Sequence, residues 1–456
     1  MRLLPLLLAL LLCLPAVAEA SPRQTVTFEA PRELLSAHER DSTLDQIAGF
    51  GVNRVRQLVY WRSYAPDADS RTRPDFDASD PDAYPAGTWD NLDALVAAAK
   101  ARGIAVMLTL TGPVPKWATK SGKDNLTDPD PAEFGAFATA VGRRYAADVS
   151  MWSIWNEPNQ PQFLKPQYKK GKPASPKLYR KLYQAAYKAL RATNRDDAIL
   201  LAETSPRGNQ NVVHPLAFLR GMLCLDSKYR KAKSCGKLDA DGYAHHAYTT
   251  SKGPRFKPPS KDDVTIGVLS RLVSALDKAG KAKALPKGLP IHLTEFGIQS
   301  TPDTIAGVSL ARQAAYLAVS EHIAYVNPRV ATFSQYLMSD DAPRSEGYKY
   351  GGFESGLRTS SGKAKPAYEG FRLPLAVEVY GSEDVLWGLV RPLRETTSVT
   401  VERKPKGKAW RTLRTLKTTA TGVYGLKTTH RSGQQYRVKW TAPDGRVFTG
   451  PAIRGY

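Results

Sequence analysis

The feature that most constrains this chain is a short apolar run that recurs eight times in the first 336 residues. Segments of helical period precede several runs. One example is 91–102, where Leu92, Leu95 and Val96 lead to Gly103, a helix stop, and then to the next run. The runs occupy residues 25–28, 54–60, 104–110, 149–155, 199–202, 242–246, 291–294 and 330–336. Strand–helix alternation over eight units predicts an α/β fold, an eight-stranded parallel (β/α)8 TIM barrel.

The alternative is an open, doubly wound sheet. That fold favours a glycine-rich phosphate loop after its first strand. Residues 29–35, which follow the first run, contain no glycine. We therefore expect a barrel domain over residues 21–374.

Beyond residue 374 the pattern changes to short strands separated by turn residues. They are expected at 377–380, 386–390, 398–402, 411–416, 422–426, 435–440 and 447–452. Seven short strands in one segment predict a β-sandwich domain over 375–456. Its tryptophans, Trp387, Trp410 and Trp440, are interpreted either as a platform for stacking sugars or as core.

The first twenty residues are typical of a secretory signal peptide. Met1 and Arg2 give a short positive start, residues 3–18 are almost entirely apolar, and Ala18-Glu19-Ala20 has a small-x-small cleavage pattern. A secreted or cell-surface protein is therefore expected, and lipidation at Cys13 is the alternative. No later run is long enough for a transmembrane span.

Two cysteines remain after this segment, Cys224 and Cys235. In an oxidising compartment, cysteines eleven positions apart can pair, so we expect a disulfide between them. The alternative is a pair of buried free thiols.

Candidate chemistry lies at the ends of the fourth and seventh strands. The fourth reads Trp155-Asn156-Glu157-Pro158-Asn159 and the seventh ends in Thr294-Glu295-Phe296-Gly297. A carboxylate at the C-terminal end of a barrel strand points into the mouth where catalytic groups lie. Breaking a glycosidic bond needs two such carboxyl groups. The alternative is that each glutamate forms a structural salt bridge.

Both segments resemble the signatures of glycoside hydrolase clan A, the retaining (β/α)8 glycosidases. The overall layout, including Pro366-Ala367-Tyr368, is most similar to family 39 and neighbouring bacterial families. The resemblance implies that Glu157 is the acid/base and that Glu295 is the nucleophile.

The resemblance also implies substrate-binding and supporting roles at matching positions. Asn156 would bind the sugar 2-hydroxyl, and Arg56 would hold Glu295 ionised and oriented. His246-Ala247-Tyr248 resembles the strand-six His-x-Tyr of the clan, so His246 would line the site and Tyr248 would donate to the nucleophile.

The sequence departs from the clan at strand eight, which has no tryptophan in residues 333–338. Tyr336 or Gln335 would take its place under the sugar. Trp117 is expected either to wall the cleft or to pack, and the same alternatives hold for Trp61. No third ligand accompanies the neighbouring histidines of strand six, so neither a metal nor an organic cofactor is expected.

The leading hypothesis is a secreted retaining O-glycoside hydrolase acting on a β-linked oligo- or polysaccharide. The formal net charge of +22 extends the substrate class to acidic glycans. A non-catalytic glycan-binding or wall-attachment protein is the competing hypothesis. A specific nucleic-acid partner is not expected, because no recognition motif is present.

Overall fold

The computed structural model describes residue 21, residues 24–232 and residues 234–456, and the predicted signal peptide lies outside them. The strands up to residue 336 are, in chain order, β1 (Thr25–Glu29), β2 (Arg54–Tyr60), β3 (Ala105–Thr111), β4 (Met151–Ile154), β5 (Tyr168–Lys169), β6 (Lys172–Pro173), β7 (Ala198–Thr204), β8 (Gly242–His246), β9 (Ile291–Glu295) and β10 (Val330–Tyr336). Within the described residues, eight of these strands close into a parallel barrel in the order β1-β10-β9-β8-β7-β4-β3-β2. The predicted barrel is confirmed.

Helices surround the barrel. They are α1 (Pro31–Leu35), α2 (Arg40–Gly49), α3 (Trp61–Tyr64), α4 (Asp90–Lys100), α5 (Pro131–Arg144), α6 (Ser175–Thr193), α7 (Pro215–Met222), α8 (Leu269–Lys281), α9 (Leu310–Tyr325) and α10 (Pro366–Arg372). Helix α5 begins at Pro131, and the side chain of Asp130 caps it by accepting from two backbone N–H groups. Along the described chain, we find no helix with the length and apolar character needed to cross a membrane.

The C-terminal segment forms two antiparallel sheets. Its strands are β11 (Leu375–Tyr380), β12 (Glu383–Leu389), β13 (Ser398–Lys404), β14 (Arg411–Lys417), β15 (Val423–Thr429), β16 (Gln435–Thr441), β17 (Val447–Thr449) and β18 (Ile453–Arg454). One sheet has the order β11-β12-β15, and the other has β14-β13-β16-β17 with β18 paired to β16. This arrangement confirms the predicted β domain after the barrel.

The proposed tryptophan platform in this segment is wrong. Trp387 is buried and stacks on the His322 ring of α9, and Trp440 is buried against Phe448. Trp410 lies under the guanidinium of Arg437. Burying indole rings contributes core stability, so at least two of these tryptophans are core.

Close packing joins the barrel to the β domain through α9, which contacts β11 and β12. Arg391 is buried, donates to a Glu321 carboxylate oxygen at 2.6 Å, and lies over the Phe371 ring. Gly51 has a φ of +75°, and a Cβ there would stand 2.4 Å from the Arg391 carbonyl oxygen. Only glycine combines that backbone conformation with so close an approach.

The segment after α7 is closed by a disulfide. Cys224 and Cys235 are bonded, with their Cα atoms 6.1 Å apart. The bond constrains the loop that precedes β8.

Candidate active site

Two glutamates from different strands converge at the C-terminal mouth of the barrel. Glu157 lies three residues beyond the end of β4, and Glu295 is the last residue of β9. His246, at the end of β8, lies between them. Its Nδ1 is 3.0 Å from Glu157 Oε1 and 3.5 Å from Glu295 Oε2. One imidazole nitrogen therefore contacts both carboxyl groups.

Arg56 points inward from β2, is fully buried, and forms hydrogen bonds with several residues of the site. Its Nη1 donates to Glu295 Oε2 at 3.3 Å, and its Nη2 donates to Asn156 Oδ1 at 2.8 Å. Its Nε donates to the Thr109 hydroxyl on β3. A guanidinium offers donors in a fixed planar fork, so it orients several acceptors at once.

Aromatic residues flank Glu295. Tyr248 Oη donates to Glu295 Oε1 at 2.7 Å, and the Tyr248 ring stacks on Phe296. Tyr336, at the end of β10, meets the Tyr248 ring edge-on and also contacts Phe353. Glu295 thus accepts from Arg56 through one oxygen and from Tyr248 through the other.

The electrostatics of the two glutamates differ. Burial raises the pKa of Glu157 above its usual value, although the neighbouring His246 partly opposes the shift. Burial alone would lower the pKa of His246, but Glu295 and Glu157 together raise it to about 9. Burial also works against the charge on Arg56, yet Glu203, Glu29 and Glu295 hold its pKa well above the ordinary value.

Two carboxylates that the sequence analysis did not single out also contact Arg56. Glu29 ends β1 and accepts from Arg56 Nη1 at 2.5 Å. Glu203, near the end of β7, accepts from Arg56 Nε at 3.1 Å and from Nη2 at 2.7 Å. Each is a carboxylate at or next to the C-terminal end of a barrel strand, and the same placement identified Glu157 and Glu295.

The remaining aromatic candidates lie elsewhere. Trp117 is buried, donates its indole N–H to the Pro66 carbonyl and packs edge-on against Trp61. Trp61 is itself stacked on Phe137. These contacts support the packing alternative for both tryptophans. Gln335 donates to backbone carbonyls, including that of Ser355, which leaves Tyr336 as the aromatic residue of strand eight at the site.

The described residues contain no group of three or more His, Cys, Asp or Glu side chains arranged to hold a metal ion. The side chains at the mouth supply carboxyl groups, an imidazole, a phenol and a guanidinium.

Comparison with known families gives one match. The model described as cellulase (glycosyl hydrolase family 5) matches residues 21–328, which is most of the barrel. Among curated proteins, none matches this chain in sequence.

Comparison with solved structures gives the fold. A family 39 glycoside hydrolase from Bacteroides cellulosilyticus superposes with a TM-score of 0.52 at 16% identity, covering 92% of this chain and 81% of that one. A monomeric β-xylosidase from Caulobacter crescentus gives 0.53 at 15% identity, with 94% and 97% covered. A glucosidase from Croceicoccus marinus gives 0.54 at 12% identity, with 91% and 94% covered. The similarity extends through the β domain as well as the barrel.

Proposed function

The chain belongs to the cellulase family, glycosyl hydrolase family 5, and from that premise we propose that it is a retaining O-glycosidase acting on a β-linked glycan. Membership of clan A makes it a glycoside hydrolase. The assignment of Glu157 as acid/base and Glu295 as nucleophile is part of the proposal.

One observation carries it: a single His246 nitrogen contacts both glutamates. The two carboxylate oxygens are no farther apart than the sum of those contacts, about 6.5 Å. Retaining enzymes hold their carboxyl groups roughly 5–5.5 Å apart, whereas inverting enzymes need roughly 6.5–9.5 Å to admit a water. The upper bound includes the retaining separation and only reaches the lower limit of the inverting range, so the contacts are consistent with retention.

The surroundings of the two glutamates favour the same assignment. Burial raises the pKa of Glu157, as a proton donor requires. Glu295 accepts from Arg56 and Tyr248, and such donors stabilise a carboxylate.

With these roles, the reaction proceeds by two displacements at the anomeric carbon. In the first, Glu295 bonds to the anomeric carbon while Glu157 gives its proton to the departing glycosidic oxygen. In the second, Glu157 takes a proton from water, the water oxygen bonds to the anomeric carbon, and the bond to Glu295 breaks.

Asn156 is oriented for a substrate contact. Arg56 donates to its Oδ1, so the amide NH2 is the group left to donate to a sugar hydroxyl. His246 contacts both carboxyl groups and carries positive charge below its pKa of about 9, which partly opposes the raised pKa of Glu157.

The test is turnover of aryl β-glycosides by Glu157→Gln and Glu295→Gln. Each substitution keeps the shape of the side chain and removes its ability to transfer a proton or attack carbon. We expect kcat to fall at least about a thousandfold, on the order of removing a covalent or acid–base function. Adding azide to Glu295→Gly should yield a glycosyl azide of inverted configuration.

The matched control is Glu378→Gln, which removes a buried carboxylate of β11 outside the barrel mouth. It should retain activity. If Glu157→Gln or Glu295→Gln were as active as this control, the residue assignment would be wrong. Binding of glycans without turnover by the wild-type protein would instead favour the non-catalytic alternative.

An open cleft next to Glu157 gives a reason to test acidic substrates. Gln160, Ser205 and the exposed Arg207 line it, and the Gln160 N–H donates to the Glu157 carbonyl at 2.8 Å. Asp263 also lines the cleft but contacts His214, so Arg207 is the cation on the side of the proton donor that would favour an acidic leaving sugar. The substrate panel should therefore pair each neutral disaccharide with its uronic acid counterpart.

Export of the chain is also proposed, on the pattern of residues 1–20 and on the Cys224–Cys235 bond, which an oxidising compartment favours. Expression of the full chain followed by N-terminal sequencing of the extracellular product tests it. A mature protein that begins at Ser21 is the expected result, and retention of Met1 in an intracellular product would contradict it.

A further inference from the structure

Glu203 is tied to both proposed catalytic residues. Its side chain is fully buried, and both of its oxygens accept from Arg56, which in turn donates to Glu295. Its backbone carbonyl accepts from the N–H of Glu157 at 3.1 Å. One residue thus contacts the nucleophile through a guanidinium and the acid/base through the main chain.

The backbone around this contact is unusual. Glu203 has a φ of +51°, the preceding Ala202 has +91°, and Glu157 has +38°. Each is a left-handed conformation that costs a non-glycine residue free energy and persists only when neighbouring contacts impose it. Tyr179 on α6 provides one such contact, because its hydroxyl accepts from the Ala202 N–H at 2.7 Å.

The sheet register changes at the same place. The pairing of β7 with β8 shifts between Ala202 and Thr204, so Glu203 lies within the irregularity. Irregularities of this kind re-aim a side chain and are common next to active sites. Here the result is a carboxylate directed at Arg56.

Glu29 provides a contrast on the same guanidinium. Only its Oε1 accepts from Arg56, and its Oε2 has no hydrogen-bond partner among the residues described. Burial raises the pKa of Glu29 to about 8, although Arg56 opposes the shift. At neutral pH, Glu29 is therefore a neutral neighbour of Arg56, whereas the bidentate geometry of Glu203 is that of an ion pair.

We propose that Glu203 is a positioning residue of the active site, whose carboxylate holds Arg56 against Glu295 and offsets the guanidinium charge that would otherwise favour the ionised form of Glu157. The inference rests on the roles proposed above for Glu157 and Glu295. The titratable and charged groups that face this network are Glu29 from β1, Arg56 and Tyr60 from β2, Glu157 after β4, Tyr179 from α6, His245 and His246 from β8, Tyr248 after β8, Glu295 from β9 and Tyr336 from β10.

Neutralising Glu203 should change the pH dependence of kcat/KM. Glu203→Gln leaves the charge of Arg56 uncompensated, and a nearby excess positive charge favours the ionised form of Glu157. The acid/base then loses its proton at lower pH. The alkaline limb of the kcat/KM profile should move down by about one pH unit, and kcat/KM at pH values above the wild-type limb should fall about tenfold.

The experiment measures kcat/KM against pH for wild type, Glu203→Gln, Glu203→Asp and Glu29→Gln on a phenyl β-glycoside, whose leaving group needs a proton. Glu203→Asp keeps the charge, so its rate falls but its alkaline limb stays at the wild-type position. Glu29→Gln mimics the neutral form and should not move the limb at pH values below about 8. On a dinitrophenyl glycoside, whose leaving group needs no proton, the shift in Glu203→Gln should disappear.

Several results would overturn the inference. One is a Glu203→Gln profile that matches the wild-type shape after scaling, and another is an equal shift in Glu29→Gln. If Glu203→Gln does not fold, the test uses Glu203→Asp. A shift of its alkaline limb away from the wild-type position would then overturn the inference. Failure of the proposed function is separate, because Glu157→Gln and Glu295→Gln would then remain active whatever the Glu203 variants do.

Discussion

The buried ion pair between barrel and β domain gives a prediction with a definite magnitude. Glu321 lies on α9, and Arg391 follows β12; both side chains are almost inaccessible, at 4% and 1%. Glu321→Leu leaves the guanidinium buried without its carboxylate. The Arg391 Nε still donates to the Phe371 carbonyl at 2.6 Å, but its charge is no longer paired.

Removing one partner of such a pair costs about 3–5 kcal/mol, because the desolvation of the other charge is no longer offset. Unfolding entropy is roughly 2.1 cal/mol/K per residue, or about 0.9 kcal/mol/K for about 430 residues unfolding together. The expected fall in Tm is therefore about 3–6 °C. Urea unfolding measures the free energy directly, and a single transition is expected if the barrel and β domain unfold as one unit.

The matched control is Asp148→Asn, which breaks an equally short but exposed pair with Lys100. It should cost less than about 1 kcal/mol, since water solvates both charges. The double variant Glu321→Leu with Arg391→Met removes both charges and should recover most of the loss. A Glu321→Leu variant no less stable than Asp148→Asn would refute the reasoning.

Further predictions concern the disulfide and the site. Replacing Cys224 and Cys235 by Ser should lower the free energy of unfolding by about 3 kcal/mol, from the entropy of an eleven-residue loop, as measured by urea titration against the oxidised wild type. Glu29 keeps a proton that the unfolded chain releases near pH 4.5, so wild-type stability falls as pH rises toward 8. Glu29→Gln should therefore gain stability relative to wild type across that range, and a constant difference in pH-dependent urea unfolding would argue against the raised pKa. Tyr248→Phe removes a hydrogen bond to Glu295 of about 1.5–3 kcal/mol, so kcat/KM should fall at least about tenfold while the unfolding transition persists.

The barrel was predictable because the same pattern, an apolar strand after a segment of helical period, recurs along the chain. A strand of a parallel barrel is buried on both sides and reads as an apolar run, and each long helix carries an apolar stripe. Helix α4 was found in this way from residues 91–102, and its observed ends, Asp90 and Lys100, lie within about two residues of the prediction, the usual uncertainty of element boundaries. Helices α1 and α7, of five and eight residues, are too short for a period to register, and the sequence analysis did not predict them.

Whether a residue of the candidate site could be predicted from the sequence depended on whether it stands in a recognisable motif. Glu157 and Glu295 stand in motifs that specify their neighbours, so sequence alone singled them out. Glu29 and Glu203 end strands in the same way without such a motif. In β7 every residue from Ile199 onward is buried, so alternation does not distinguish an inward from an outward side chain. The register shift at Glu203 then decides its direction, and that shift depends on contacts with β8, which are distant in sequence. A carboxylate that ends an apolar strand is therefore better treated as a possible neighbour of the catalytic pair until the register of its strand is known.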